Sequence, residues 1–211
     1  NSWHLDTAYV QKSWNLGQGW FSRLALGYFE QAYGGIGLEA LYYPVQSNWA
    51  VGMQGAALFK RSYYGLGLQS RVRKLTHKGP LYIPYTGLQF FVDLYYQYKP
   101  LQLDFKISAG QFLARDQGIR VEGGRVFASG LRVGLWGTFT NANDRVNGHR
   151  YYDKGLSITM PLDLCLHKSS RTRVGYAMSA WLRDCGAIGA CGKQLYPTIF
   201  WERYNSKPVF Y

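Results

Sequence analysis

The chain has 211 residues, 47% hydrophobic and only 17% charged, below the roughly 25% charged residues of typical soluble domains. Its 24 Lys and Arg against 12 Asp and Glu give a formal charge of +12, and 25 Gly with 18 Tyr, 11 Phe and 7 Trp favour strands over helices. No stretch approaches the roughly 18 continuous apolar residues of a spanning helix.

The mean hydropathy of −0.24 fits a soluble chain. It fits a transmembrane β-barrel equally well, because half of the strand residues of such a barrel face a polar interior. The chain opens at Asn1 without Met and without a basic-then-apolar leader, so either a signal was removed or the chain is a segment of a longer protein, the reading that the family resemblance below favours.

A two-residue alternation recurs along the chain, and strand side chains point to opposite faces in just this way. Leu24, Leu26 and Tyr28 alternate with Arg23, Ala25 and Gly27. Ile36, Leu38, Ala40 and Tyr42 alternate with Gly37 and Glu39 until Tyr43-Pro44 breaks the run. Trp49, Val51, Met53, Ala57 and Phe59 alternate with Ala50, Gly52, Gln54 and Lys60. Phe90, Val92, Leu94, Tyr96 and Tyr98 alternate with Gln89, Asp93 and Gln97. Leu103, Phe105, Ile107 and Ala109 then alternate with Asp104, Lys106, Ser108 and Gly110. Leu131, Val133, Leu135 and Phe139 face one way and Arg132, Gly134, Thr138 and Thr140 the other, with Trp136 the one large apolar residue on that second face. Leu156 to Leu162 and Val174 to Met178 continue the pattern.

Turn signals at Gln46-Ser47-Asn48, Lys99-Pro100, Asp116-Gln117-Gly118 and Ser129-Gly130 separate the runs. Longer connections are expected at Arg71 to Tyr85, Asn141 to Arg150 and Asp184 to Lys193. Tight turns alternating with long loops match the outer-membrane barrel pattern. The fold expected is all-β: a closed antiparallel up-and-down transmembrane β-barrel of about twelve strands, within about two. Closure removes the two sticky edges that an open sheet of this size would expose. No interior linker breaks the chain, so residues 1–211 read as one domain.

Among residues that could carry chemistry, Arg71, Arg73, Lys74, His77 and Lys78 form a basic loop, and Lys168, Arg171 and Arg173 form a second cluster. No nucleic-acid motif accompanies them, so nucleic acid is not expected as a partner. Lipid phosphates or an anionic polymer account for the charge, as does a merely solvated loop. The run Gly186 to Lys193 lacks the first glycine of a phosphate-binding loop, where Ala187 stands, and has Gln194 in place of Ser or Thr. The four His show no metal-ligand spacing, and no Gly-x-Ser-x-Gly elbow occurs. Neither a cofactor nor a metal is expected.

Arg23, Glu30, Glu39, Asp93, Asp104, Lys106 and Arg132 occupy the polar sides of strands. They are candidates for a polar, basic lumen, in which ion pairing is favoured over paired-carboxylate catalysis. Cys185 and Cys191 lie six apart, where a disulfide could close in an oxidising compartment, or all three cysteines could stay reduced.

Two blocks resemble a known family. Leu26-Gly27-Tyr28-Phe29-Glu30 with Tyr33 to Pro44 and Trp49-Ala50-Val51-Gly52 form the first. Gly110 to Gly118, Gly124 to Phe127, Gly130 to Gly134, Trp136, Phe139-Thr140 and Asp153-Lys154-Gly155 form the second. They are similar to the barrel region of the YjbH family, outer-membrane proteins of exopolysaccharide or capsule production. The resemblance spans roughly residues 20 to 162 and extends more loosely to Leu182-Arg183-Asp184.

The resemblance implies a non-enzymatic outer-membrane barrel of a Gram-negative-type envelope, involved in polysaccharide export or assembly. Its partners would be outer-membrane lipid, extracellular polysaccharide and periplasmic export proteins. The terminal Phe210-Tyr211 is of the kind found on barrels delivered to outer-membrane insertion machinery. Two other readings stay open on the residues alone: a soluble barrel around a small apolar ligand, and a lipid-modifying barrel enzyme.

Overall fold

The computed structural model describes residues 5–62, 66–76, 79–166, 170, 172–179 and 185–205, with the side chains of 72–76 and 205 left aside. The strands are β1 (Ala8–Gly17), β2 (Trp20–Tyr28), β3 (Tyr33–Tyr42), β4 (Trp49–Arg61), β5 (Leu68–Gln69), β6 (Arg71–Thr76), β7 (Gly79–Pro84) and β8 (Gly87–Tyr98). They continue as β9 (Leu103–Gln111), β10 (Gln117–Val126), β11 (Arg132–Thr140), β12 (Arg145–Val146), β13 (His149–Arg150), β14 (Lys154–Pro161) and β15 (Arg173–Ser179), followed by helix α1 (Leu195–Asn205).

An eleven-stranded sheet runs in the order β1-β2-β3-β4-β8-β9-β10-β11-β14-β15, with β5 on β4. The pairs β1–β2, β2–β3, β9–β10, β10–β11, β11–β14 and β14–β15 are antiparallel. This is an up-and-down order interrupted by two excursions. One holds the hairpin β6–β7 and the other the short hairpin β12–β13. The second turns at Asn147-Gly148, whose φ angles of 51° and 80° are those of the two-residue turn that Asn-Gly favours. Among the described residues the order ends at β1 and β15, and no pairing joins these two strands.

One expectation needs correction, and two further findings extend the expected fold. The segment from Arg71, expected to be a loop, is a strand of the β6–β7 hairpin, whose ladder runs from Arg71↔Pro84 to Thr76↔Gly79. Arg71, Arg73 and Lys74 therefore lie on β6, while His77, Lys78, Lys168 and Arg171 fall outside the described residues. The stretch Leu195–Asn205, to which the alternation assigns no element, adds a further element to the strands. It is helical, with aromatic residues stacked at helical spacing, Tyr196 on Phe200 at 5.9 Å and Phe200 on Tyr204 at 6.2 Å. It is too short to cross a membrane as a helix, as is every other described helix. The expected tally of about twelve strands resolves into the eleven of the sheet and the four of the two hairpins.

The chain packs as two compact units. The first comprises Asn1–Val45, Gly52–Phe90 and Ile188–Tyr211, and the second Gln46–Val51 and Phe91–Ala187. In each, burial is inverted relative to a water-soluble sheet. Leu26, Ile36, Leu38 and Phe90 of the first unit are exposed, while Arg23, Glu39, Gln54 and Gln89 on the opposite face are buried. In the second, Val133, Leu135 (65% exposed) and Phe139 (56%) face outward, whereas Asp93 and Thr138 are almost fully buried. Leu131 sits just ahead of β11 and is half-buried.

A small apolar core shares the buried face with the polar side chains in each unit. It is Ala25, Leu41 and Leu58 in the first unit, and Phe91 edge-on to Phe112 at 4.9 Å in the second.

Candidate functional site

The polar faces carry the chemistry. In the first unit, antiparallel pairing sets Arg23 of β2 directly opposite Glu39 of β3. Arg23 donates from Nε to Glu39 Oε2 at 2.8 Å, and both side chains are almost completely buried. Two oppositely charged groups removed from water need such pairing and further hydrogen bonds to be tolerated. Both receive them from the segment after residue 188. Arg23 Nη1 donates to the carbonyl of Cys191, and Glu39 accepts the N–H of Leu195 at 3.0 and 3.1 Å. Glu39 thereby places an anion at the N-terminus of α1, where the helix dipole favours it. Gln11, Gln89 and Gln54 add contacts to Lys193, Gly189 and Gln194.

In the second unit the charges form a lattice across four strands, β8 to β11, and the segment before β14. Arg132 on β11 reaches across β10 to Asp104 on β9, donating from Nε to both carboxylate oxygens at 3.0 Å. The residue it crosses is Gly124, where a Cβ would stand 2.6 Å from Nη2. Glycine at that position is what lets the guanidinium lie flat. Arg120 donates to Glu122 at 2.8 Å and lies over the Trp136 ring at 4.7 Å. Trp136 in turn donates from Nε1 to Asp153 at 3.2 Å. Lys106 faces Asp93 at 3.7 Å, and the Tyr95 hydroxyl donates to the same carboxylate at 3.3 Å.

Six of the seven expected polar-face residues thus sit where the alternation puts them, in three ion pairs: Arg23–Glu39, Lys106–Asp93 and Arg132–Asp104. Glu30 does not. It lies in the turn between β2 and β3, half-buried, and burial raises its carboxyl above the ordinary 4.5. The expectation of a basic polar face also changes. Lys106, Arg120 and Arg132 are matched by Asp93, Asp104, Glu122 and Asp153, because buried charge must be compensated.

Cys185 and Cys191 are free thiols rather than a disulfide. Cys191 is held against the Arg23 guanidinium, its Sγ 3.7 Å from Nη2. Cys185 sits in a turn whose next residue, Gly186, donates to Asp116 at 2.7 Å. Burial, then the nearby carboxylates of Asp144, Asp116 and Asp153, push the Cys185 thiol up and make it a poor nucleophile.

Reading strand by strand missed Arg120, Glu122 and Asp153. The first two stand two apart, the spacing of one strand face. Asp153 sits in a turn, where no periodicity marks it. Gln11, which meets Lys193 182 residues away, carried no signal at all.

The profile of one family, described as exopolysaccharide biosynthesis protein, matches residues 1–200. A relative from Escherichia coli (strain K12), named uncharacterized lipoprotein YjbH, is 30% identical over 193 residues, covering 92% of this chain. The chain spans about a quarter of that relative's length, as the alignment covers 26% of it. No solved structure matches the chain significantly. With nearly the whole chain inside the family's profile and the paired charges falling within the matched stretch, the protein belongs to the YjbH family of exopolysaccharide biosynthesis.

Proposed function

We propose that the sheet closes into a non-enzymatic outer-membrane β-barrel that helps exopolysaccharide cross or assemble at the outer membrane. The polar faces would turn to its lumen and the apolar faces to lipid. The observation that carries this reading is the inverted burial. Side chains such as Leu26, Phe90, Leu135, Phe139 and Tyr176 are exposed, while ionised groups are buried on the other side. In water each exposed apolar side chain forgoes about 1.5–3 kcal/mol of burial, whereas lipid removes that penalty. Lipid also makes closure obligatory, since no water is there to satisfy free strand edges.

The family's role in exopolysaccharide biosynthesis and the lipoprotein name of the relative support a place in the cell envelope. Outer-membrane lipid, the polysaccharide and periplasmic export proteins are the partners this reading proposes. A lumen of paired charges and side-chain amides offers weak, repeated contacts to a hydrated polymer rather than one tight site. The soluble ligand-binding alternative loses ground on the same observation, because it requires Val133, Leu135 and Phe139 to be buried.

The test is fractionation of cells making the full-length protein, with gel migration compared before and after heating, and exopolysaccharide yield in a deletion strain. Outer-membrane recovery, a heat-dependent shift and loss of polymer are expected. A protein recovered in soluble fractions with unchanged migration would refute the proposal.

A further inference from the structure

Residues 188–194 lie against the polar face of the first unit, and their attachment is of a particular kind. Strand side chains hold chiefly the main chain of this segment, with side-chain contacts from Gln194 to Gln54 at 3.1 Å and from Arg23 to Cys191 Sγ at 3.7 Å beside them. Gln89 donates to the carbonyl of Gly189 at 2.9 Å and accepts the N–H of the same residue at 2.9 Å. Gln11 does likewise with Lys193, at 3.0 and 2.9 Å. Arg23 donates to the Cys191 carbonyl, and Glu39 takes the Leu195 N–H.

Glycines on both sides permit this approach. A Cβ on Gly37 of β3 would stand 2.9 Å from Cys191 Cβ, and one on Gly192, whose φ is +85°, would stand 2.6 Å from Gln11 Oε1. Apolar anchoring is concentrated in α1, where Leu195, Tyr196, Ile199 and Phe200 are buried and Arg203 lies over Tyr43 at 3.8 Å, with Cys191 also buried ahead of the helix. The segment ahead of the helix is therefore held mainly by hydrogen bonds that another polar ligand can replace, next to a helix held by packing.

We propose that residues 188–194 are a displaceable strap, hinged on α1, whose release frees Gln11, Arg23 and Gln89 to hydrogen-bond a hydroxyl-rich saccharide segment. Two carboxamides, on β1 and β8, and a guanidinium, on β2, offer the mixed donors and acceptors that sugar hydroxyls require. The strap and the saccharide would compete for the same atoms. The saccharide half of this inference rests on the exopolysaccharide reading above, whereas the displacement of the strap does not.

The experiment uses the full-length protein and the exopolysaccharide purified from the producing strain. Maleimide labelling of Cys191, read by mass spectrometry of its peptide, is expected to run faster than global unfolding. Labelling only at the global unfolding rate would show a fixed segment and overturn the strap.

Gly37→Cys, facing native Cys191, should lock the strap when oxidised by diamide. Saccharide binding should then vanish, and return on reduction. Gly37→Leu, which wedges the strap outward, should raise both labelling and saccharide affinity about ten-fold, as loss of one or two net hydrogen bonds would. Gln89→Ala covers the case in which that wedge fails to fold. It should speed labelling yet weaken binding, because Gln89 serves strap and saccharide alike. Faster labelling with unchanged binding in Gly37→Leu, or binding indifferent to the oxidised lock, would overturn the saccharide role. Failure of outer-membrane recovery would sink the function proposed above and leave Cys191 labelling to decide the strap independently.

Discussion

Arg132 meets Asp104 because the residue between them is glycine, and Arg23 meets Glu39 because antiparallel register sets them opposite each other. Charge on the polar faces is thus placed by strand geometry and kept by pairing. Glu30 is the instructive exception. In the β2–β3 turn its backbone is tied down, since Arg61 donates to its carbonyl at 3.0 Å, and burial raises its carboxyl above 4.5. The folded state therefore binds this proton more tightly than the unfolded chain does. The stability so contributed is fully present below pH 4.5 and is lost as pH rises through the raised folded value. Glu30→Gln should abolish this component. Thermal melts taken between about pH 4 and about pH 7 are expected to show a shallower decline in the variant and a higher Tm at neutral pH.

At the scale of the strand, alternation gives each element two unlike faces, and β11 shows the consequence. Leu135 pairs in register with Gly123 on one side and Leu156 on the other, and it points away from Arg132, Gly134 and Thr138. On a water-facing sheet, replacing so exposed a leucine with arginine would be neutral or helpful. On a lipid-facing strand it costs about 2–4 kcal/mol near the bilayer midplane. Leu135→Arg is accordingly expected to destabilise the protein by that amount in denaturant unfolding from phospholipid vesicles. An unchanged midpoint would place Leu135 outside the hydrocarbon. The β6–β7 hairpin teaches the opposite lesson about elements. Its basic residues led the segment to be read as a loop, yet strand pairing tolerates Arg and Lys wherever a face is solvated, so charge alone does not mark a loop.

For the whole molecule, the formal charge of +12 and the composition of the polar faces point in different directions. The named charges on those faces are paired, so the surplus lies elsewhere, including Arg71, Arg73 and Lys74 on the hairpin. A proposed lumen lined in this way should discriminate weakly between ions. In planar bilayers under a potassium chloride gradient the full-length protein is expected to give a reversal potential near zero. A strong anion preference would show that the excess charge faces the pathway. The two compact units were not visible in the sequence, because the divisions at residues 51/52 and 90/91 fall inside β4 and β8, where no linker composition signals them.

Sequence alone determined which residues share a face. That property depends only on the two-residue period of an extended chain, so Arg23, Glu39, Asp93, Asp104, Lys106 and Arg132 could each be placed on the polar side of its own strand before any fold was known. Tertiary structure alone decided which face is buried, that Leu195–Asn205 is helical, and that residues 188–194 are fastened to Gln11 and Gln89. Those contacts join residues 100 to 182 positions apart. Their energy comes from polar groups meeting across that distance, and a local pattern carries no record of such meetings.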